Sequence, residues 1–154
     1  MILAPISISI NQVFAPLFYS EKRYNLSYGG RGSGKSKFMA QLFTIKLRQK
    51  KFFRGYIMRE VLGDIRESQF RELKDQFEEM GITDEFKINE TTMTIEHIVT
   101  GNIVIAKGLK KSAGNQTAKV KSIKDPTDVW IEEADEISRD DFVKIDFVGF
   151  GCFW

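Results

Sequence analysis

The sequence predicts an α/β fold built on a mainly parallel sheet flanked by helices. Three observations predict it. Strand-like and helix-like segments alternate along the chain. A glycine-rich loop, "GGRGSGKS" from Gly29 to Ser36, stands between a short strand pattern and a long helix pattern. Far downstream an apolar segment, "VWI", runs directly into two adjacent acids, Glu132 and Glu133.

Each element has a local reason. "ISISI", inside the opening "MILAPISISI", alternates apolar and polar residues with period two, as a strand or an extended arm does. "YNLSY", Tyr24 to Tyr28, reads as a strand because it alternates and then meets glycines. From Lys35, the residues Phe38, Leu42 and Ile45 recur at helical spacing, with Met39 and Phe43 beside them, so a helix is expected to about Lys50. "GYIMRE", Gly55 to Glu60, is a second strand. Asp64 is placed to cap a helix whose stripe is Phe70, Leu73, Phe77 and Met80, and Gly81 ends it. "EFKI", "TTMTIEHI" and "GNIVIAKGL" are three strand-like pieces rich in Thr, Ile and Val. "DVWIEEA", Asp128 to Ala134, is a buried strand ending in acids, and a last helix starts near Ser138 with Asp141 as a loose capping box.

Composition bounds the class. The chain has 154 residues, 42% hydrophobic and 29% charged, which suits one globular domain and not a disordered segment. Net charge is +2, which neither demands nor excludes a nucleic-acid partner, because a basic face can hide in a balanced total. A single cysteine, Cys152, rules out an internal disulfide and fits a reducing compartment. No apolar run approaches the ~20 residues of a membrane span, and the N-terminus lacks the basic start of a signal peptide.

The loop carries the chemistry. Gly29, Gly34, Lys35 and Ser36 satisfy G-x-x-x-x-G-K-[ST] with a strand before and a helix after, the pattern of a P-loop NTPase. The glycines let backbone N–H groups turn inward, and those groups with the helix N-terminus hold phosphate oxygens. Lys35 is expected to reach the terminal phosphates of ATP, and Ser36 to ligate Mg²⁺. Glu132, ending an apolar strand, suits the Walker B acid that holds Mg²⁺, although Asp is commoner there. Glu133 is then placed to polarise the attacking water. Arg31, four residues before Lys35, is positioned to neutralise charge on the terminal phosphate, as an arginine finger does.

"GGRGSGKS" with its internal arginine, followed by "KGLKKSAGNQTAKVKSIKDPTDVWIEEADEI", resembles the large terminase subunit of tailed bacteriophages, of the prophage type related to PBSX, over roughly residues 10–146. The resemblance implies a motor that hydrolyses ATP to drive double-stranded DNA into a capsid. It also implies a ring of large-subunit copies at a portal protein, a small terminase subunit as partner, and a place in the cytoplasm of the bacterial host. Carried over by position, Gly29, Gly30, Arg31, Gly32, Ser33, Gly34, Lys35 and Ser36 form the Walker A loop. Glu132 becomes the Walker B acid, Glu133 the catalytic glutamate, and Gln12 an adenine-reading glutamine whose amide presents a donor and an acceptor together.

The chain departs from that family in length. The coupling motif after Walker B and the acids of a C-terminal nuclease domain are not visible, so residues 1–146 read as a partial ATPase domain that is not expected to cut DNA. Whether it turns over ATP alone is left open. The tail "FVGFGCFW", residues 147–154, is uncharged and breaks the preceding pattern. It reads either as an apolar strand closing the sheet or as the mark of a chain cut short or shifted out of frame. Two rival functions stand beside the motor: a helicase-like ATPase of another P-loop class, and an inactive prophage remnant. Lone His97 is expected to be structural. The lysines Lys107, Lys110, Lys111, Lys119, Lys121 and Lys124 read first as a solvated loop, with a surface facing DNA phosphates as the alternative. Arg59 follows "YIM" at a strand end, and whether it stands near the nucleotide is left open.

Overall fold

The structure, a computed structural model, describes residues 5–110, 123–146 and 151–153. Its centre is a seven-stranded sheet in the order β1-β7-β6-β2-β5-β4-β3. The strands are β1 (Tyr24–Asn25), β2 (Arg54–Val61), β3 (Phe86–Asn89), β4 (Thr94–His97), β5 (Ile103–Lys110), β6 (Asp128–Ile131) and β7 (Gly151–Phe153). The pairs from β1 across to β5 are parallel. The last two, β5 with β4 and β4 with β3, are antiparallel. Among the described residues the α-helices are α1 (Ala15–Phe18), α2 (Lys35–Arg48), α3 (Leu62–Arg66), α4 (Gln69–Glu79) and α5 (Arg139–Asp146).

Period-two alternation divides the strand side chains between two cores, because successive residues of a strand face opposite sides. Ile57 of β2 and Trp130 of β6 join the larger core, with Phe38, Phe43 and Leu47 of α2 and Phe70, Leu73 and Phe77 of α4. Tyr56, Met58, Val129 and Ile131 join a smaller one with Leu109 and with Ile145 of α5. Burial on both faces is what a parallel sheet requires. It also explains the unbroken burial of "DVWI".

The α2 helix ends two residues before its expected end but differs more in its environment. The apolar spacing predicts one buried stripe; instead every residue from Phe38 to Thr44 is buried. Trp130 and Phe53 meet Phe43 edge-on at 5.8 and 5.4 Å. Helix α4 flanks a second side, its Glu79 paired with Lys37. The N-terminal arm lies across a third side, with Ile6 and Ile10 on the core and Gln41 Nε2 donating to the Ser9 carbonyl at 3.2 Å. "ISISI" is therefore an extended arm with alternating burial and no assigned strand pairing.

Three expectations are corrected. The first strand ends at Asn25, and Leu26 and Tyr28 are exposed beyond it. Asp64 caps no long helix: it lies inside the short α3, and the Phe70–Leu73–Phe77 stripe belongs to a separate helix beginning at Gln69. The break is at Ser68, whose backbone leaves the helical region and whose hydroxyl donates back to the Asp64 carbonyl at 2.7 Å. The tail contributes a strand, β7, that sits inside the sheet between β1 and β6 and not at its edge.

Other local readings hold. Gly81, at φ +66°, follows α4, and Ile82 N–H donates to the Phe77 carbonyl while Gly81 N–H donates to that of Glu78, the paired bonds of a Schellman end. Ser138 accepts from the Asp141 N–H at 3.2 Å and donates its hydroxyl to Asp141 Oδ2 at 2.8 Å, a variant of the expected capping box. His97 is fully buried, its Nδ1 2.8 Å from Thr100 Oγ1. No cluster of three or more potential metal ligands occurs among the described residues, and no described helix is long and apolar enough to cross a membrane. Of the basic stretch, Lys111, Lys119 and Lys121 lie outside the described residues.

Candidate functional site

One cleft, about 1120 Å³, opens where β1 and β6 end and α2 begins. Its floor is the glycine-rich loop. Gly32 and Gly34 take φ +75° and +85°, where a side chain is strained, so the loop doubles back and enters α2 directly. Gly34 is the N-cap of α2 with no side-chain cap, which leaves the first N–H groups of the helix for an external acceptor. Phe14 braces the loop from behind, 3.7 Å from where a Gly34 Cβ would sit, and stacks on Phe38 at 4.9 Å.

Lys35 folds back over this floor. Its ammonium donates to the Gly29 carbonyl at 2.5 Å, to Ser33 Oγ at 3.0 Å and to the Gly30 carbonyl at 3.3 Å. An ammonium has three donors and no acceptor, so these oxygens hold it in the loop in place of an anion. Arg31 lines the cleft, exposed, with no hydrogen bond or ion pair to a described residue.

Ser36 and the first acid meet across the cleft. Ser36 Oγ donates to Glu132 Oε1 at 2.5 Å, joining residues 96 positions apart. The other oxygen, Glu132 Oε2, is buried without a hydrogen-bond partner among the described residues. An unpartnered buried carboxylate oxygen is costly. Hard divalent cations take oxygen ligands of this kind, so a hydroxyl beside a half-satisfied carboxylate fits Mg²⁺. Glu133 follows with φ +53° and ψ +56°, a left-handed backbone that side chains rarely adopt, and it lines the same cleft.

The structure thus brings Gly29 to Ser36, Glu132 and Glu133 to one cleft. It does not bring Gln12 there: that residue is exposed in a 3-10 turn and does not line the cleft, although its neighbour Phe14 touches the loop. Arg59 and Glu72 are among the other residues that line it. Arg59, at the end of β2, is 17% exposed at its side chain and pairs with Glu136. Its place beside β6 was unreadable from sequence because strand order is not encoded locally. Glu72, on α4, gave no signal at all. Burial, then the Asp75 carboxylate, push its carboxyl above the usual range; Lys37 opposes this and Glu132 adds to it.

Comparison with known proteins gives the family and the fold. The family model described as phage terminase large subunit matches residues 21–146. The large terminase subunit of Bacillus phage SPP1 is 27% identical over 150 residues, covering 90% of this chain and 34% of that protein. The PBSX phage terminase large subunit of Bacillus subtilis (strain 168) is 28% identical over 129 residues, covering 84% of this chain and 28% of that protein. The chain therefore spans about a third of the length of the curated relatives it matches. The large terminase ATPase domain of Thermus phage P74-26 superposes with TM-score 0.65 at 13% identity, over 94% of this chain and 63% of that one, a likeness of fold.

Proposed function

The chain belongs to the phage terminase large subunit family, and from that premise we propose that its cleft binds Mg-ATP and hydrolyses it to move double-stranded DNA during packaging. The observation that carries this reading is the Ser36–Glu132 contact at the start of α2, with Glu132 Oε2 left over. A bare phosphate-binding loop would need no carboxylate there.

The roles follow from the chemistry. Loop N–H groups from Gly29 to Gly34 and the uncapped start of α2 hold the phosphate oxygens. Lys35 exchanges its three loop acceptors for phosphate oxygens, so its charge is already in place. Ser36 and Glu132 hold Mg²⁺, which when bound neutralises charge on the phosphate chain. Glu133 accepts a proton from the attacking water. Arg31, exposed on the cleft wall, steadies the charge that develops on the transferred phosphoryl group. Gln12 contacts the adenine if the 3-10 turn shifts toward the cleft. We assign residues 1–146 to the ATP-driven part of the motor. Its partners are double-stranded DNA, a portal protein, a small terminase subunit and further large-subunit copies in a ring, within the host cytoplasm.

The deciding experiment is equilibrium binding of a non-hydrolysable Mg-ATP analogue, with Lys35→Ala as control. Loss of a charge-assisted contact costs about 1.5–3 kcal/mol, so affinity is expected to fall roughly 10- to 100-fold. Equal binding by both forms refutes the assignment of the loop. Hydrolysis raised by double-stranded DNA, and not by single strands or RNA, then separates a packaging motor from a helicase-like enzyme.

A further inference from the structure

We propose that Arg59 is a positioning residue: through Glu136 it holds the turn that carries Glu133 in its left-handed conformation. The inference rests on the reading of the cleft given above.

The argument starts where β6 leaves the sheet. Met58 and Ile131 are the last paired residues of β2 and β6, and Glu132 N–H still donates to the Met58 carbonyl at 3.2 Å. The next residue, Glu133, adopts φ +53°, which for a side chain other than glycine persists only where its surroundings impose it. A tight 3-10 turn, Ala134–Glu136, follows. Within it Glu136 N–H donates to the Glu133 carbonyl at 3.0 Å and Ile137 N–H to that of Ala134 at 3.2 Å.

Arg59 closes this turn from outside. Its Nη2 lies 3.2 Å from both carboxylate oxygens of Glu136. An exposed ion pair would fix little. Here the arginine side is largely buried, its Nε is buried without a hydrogen-bond partner among the described residues, and Glu136 is the carboxylate its Nη2 meets. One end of the clamp is a central strand, paired on both sides by β5 and β6. The other is the residue that closes the turn. The strand thereby sets the backbone angle at Glu133, which a loop joined only by its own turn bonds does not hold.

The test is amide hydrogen exchange of Glu136 and Ile137 in the free chain, with Mg-ATP-analogue affinity measured on the same samples. Arg59→Ala and Glu136→Gln are each expected to speed exchange at these amides on the order of tenfold, with the Ile57 amide in β2 unchanged. The reversed pair, Arg59→Glu with Glu136→Arg, is expected to restore protection. Hydrolysis measured on the same samples is expected to fall with the protection, since positioning acts on the chemical step. Unchanged exchange in both single variants overturns the proposal, as does a reversed pair that fails to restore protection. Protected turn amides in a wild-type chain that binds no analogue would instead refute the nucleotide reading and leave the clamp standing.

Discussion

Glu132 carries a local cost that can be tested on a single residue. One carboxylate oxygen accepts from Ser36 and the other is buried without a partner. A charge held in that state destabilises the free chain, whereas a neutral isostere of the same shape relieves the penalty. Glu132→Gln is therefore expected to melt at the same temperature as wild type or slightly higher, while its analogue binding loses most of its Mg²⁺ dependence. Thermal melts and a Mg²⁺ titration check both halves; a melting temperature several degrees lower would mean that the carboxylate is structural. Much of this site was legible in the sequence, because Gly29, Gly34, Lys35 and Ser36 act within one short loop. Glu72 and the pairing of Arg59 with Glu136 were not, because they depend on which helix and which strand lie alongside.

At the scale of elements, close approach is the controlling term. A Cβ at Gly108 of β5 would lie 2.5 Å from the Leu62 backbone nitrogen and 2.8 Å from its Cα, where α3 begins. Backbone cannot give way as a flexible side chain does, so Gly108→Ala is expected to cost about 1–3 kcal/mol. Gly63, inside α3 with open space around it, is the control: Gly63→Ala is expected to be neutral or to stabilise by up to about 1 kcal/mol. Urea unfolding of the two variants reads the difference, and equal losses would contradict the packing argument.

The junction of α2 with β4 carries a pH dependence. Arg48, within 2.6 and 2.9 Å of the Glu85 carboxylate, holds the Glu85 carboxyl below its usual range against the opposing effect of burial. Burial pushes the His97 imidazole below its ordinary value, with Glu85 opposing. Both folded-state values are depressed, so the unfolded chain takes up each proton first. Stability is full above the unfolded values and is lost as pH falls, first below about 6.5 for His97 and then below about 4.3 for Glu85. Unfolding midpoints measured from pH 8 down to about 2 are expected to fall in both steps. In His97→Gln the step near 6.5 disappears and the lower one stays; a midpoint that rises on acidification would reverse the sign argued here.

For the molecule as a whole, the sheet is the unit that delivers the site. The segment β7 lies between β1 and β6 and supplies β1 with its strand partner among the described residues. Through β1 it fixes the entry to the glycine-rich loop. Removing residues 147–154 is expected to lower the melting temperature and to weaken analogue binding together, because strand β1 then has to order on its own. Calorimetry and binding on the shortened chain check this. Unchanged affinity would show that α2 alone positions the loop.

The sequence by itself determined the features whose causes are local. Glycines at positive φ, a Gly-Lys-Ser before an apolar helix, the Schellman end at Gly81 and the Ser138–Asp141 cap all depend on residues a few positions apart. Only the tertiary structure decided the rest. Strand order put β6 beside β2 and β7 beside β1, and packing buried α2 on nearly every side, split the helix expected from Asp64, and carried Glu72 and Arg59 to the cleft. Those outcomes follow from which surfaces exclude water together, a property of the whole chain that no short window of sequence contains.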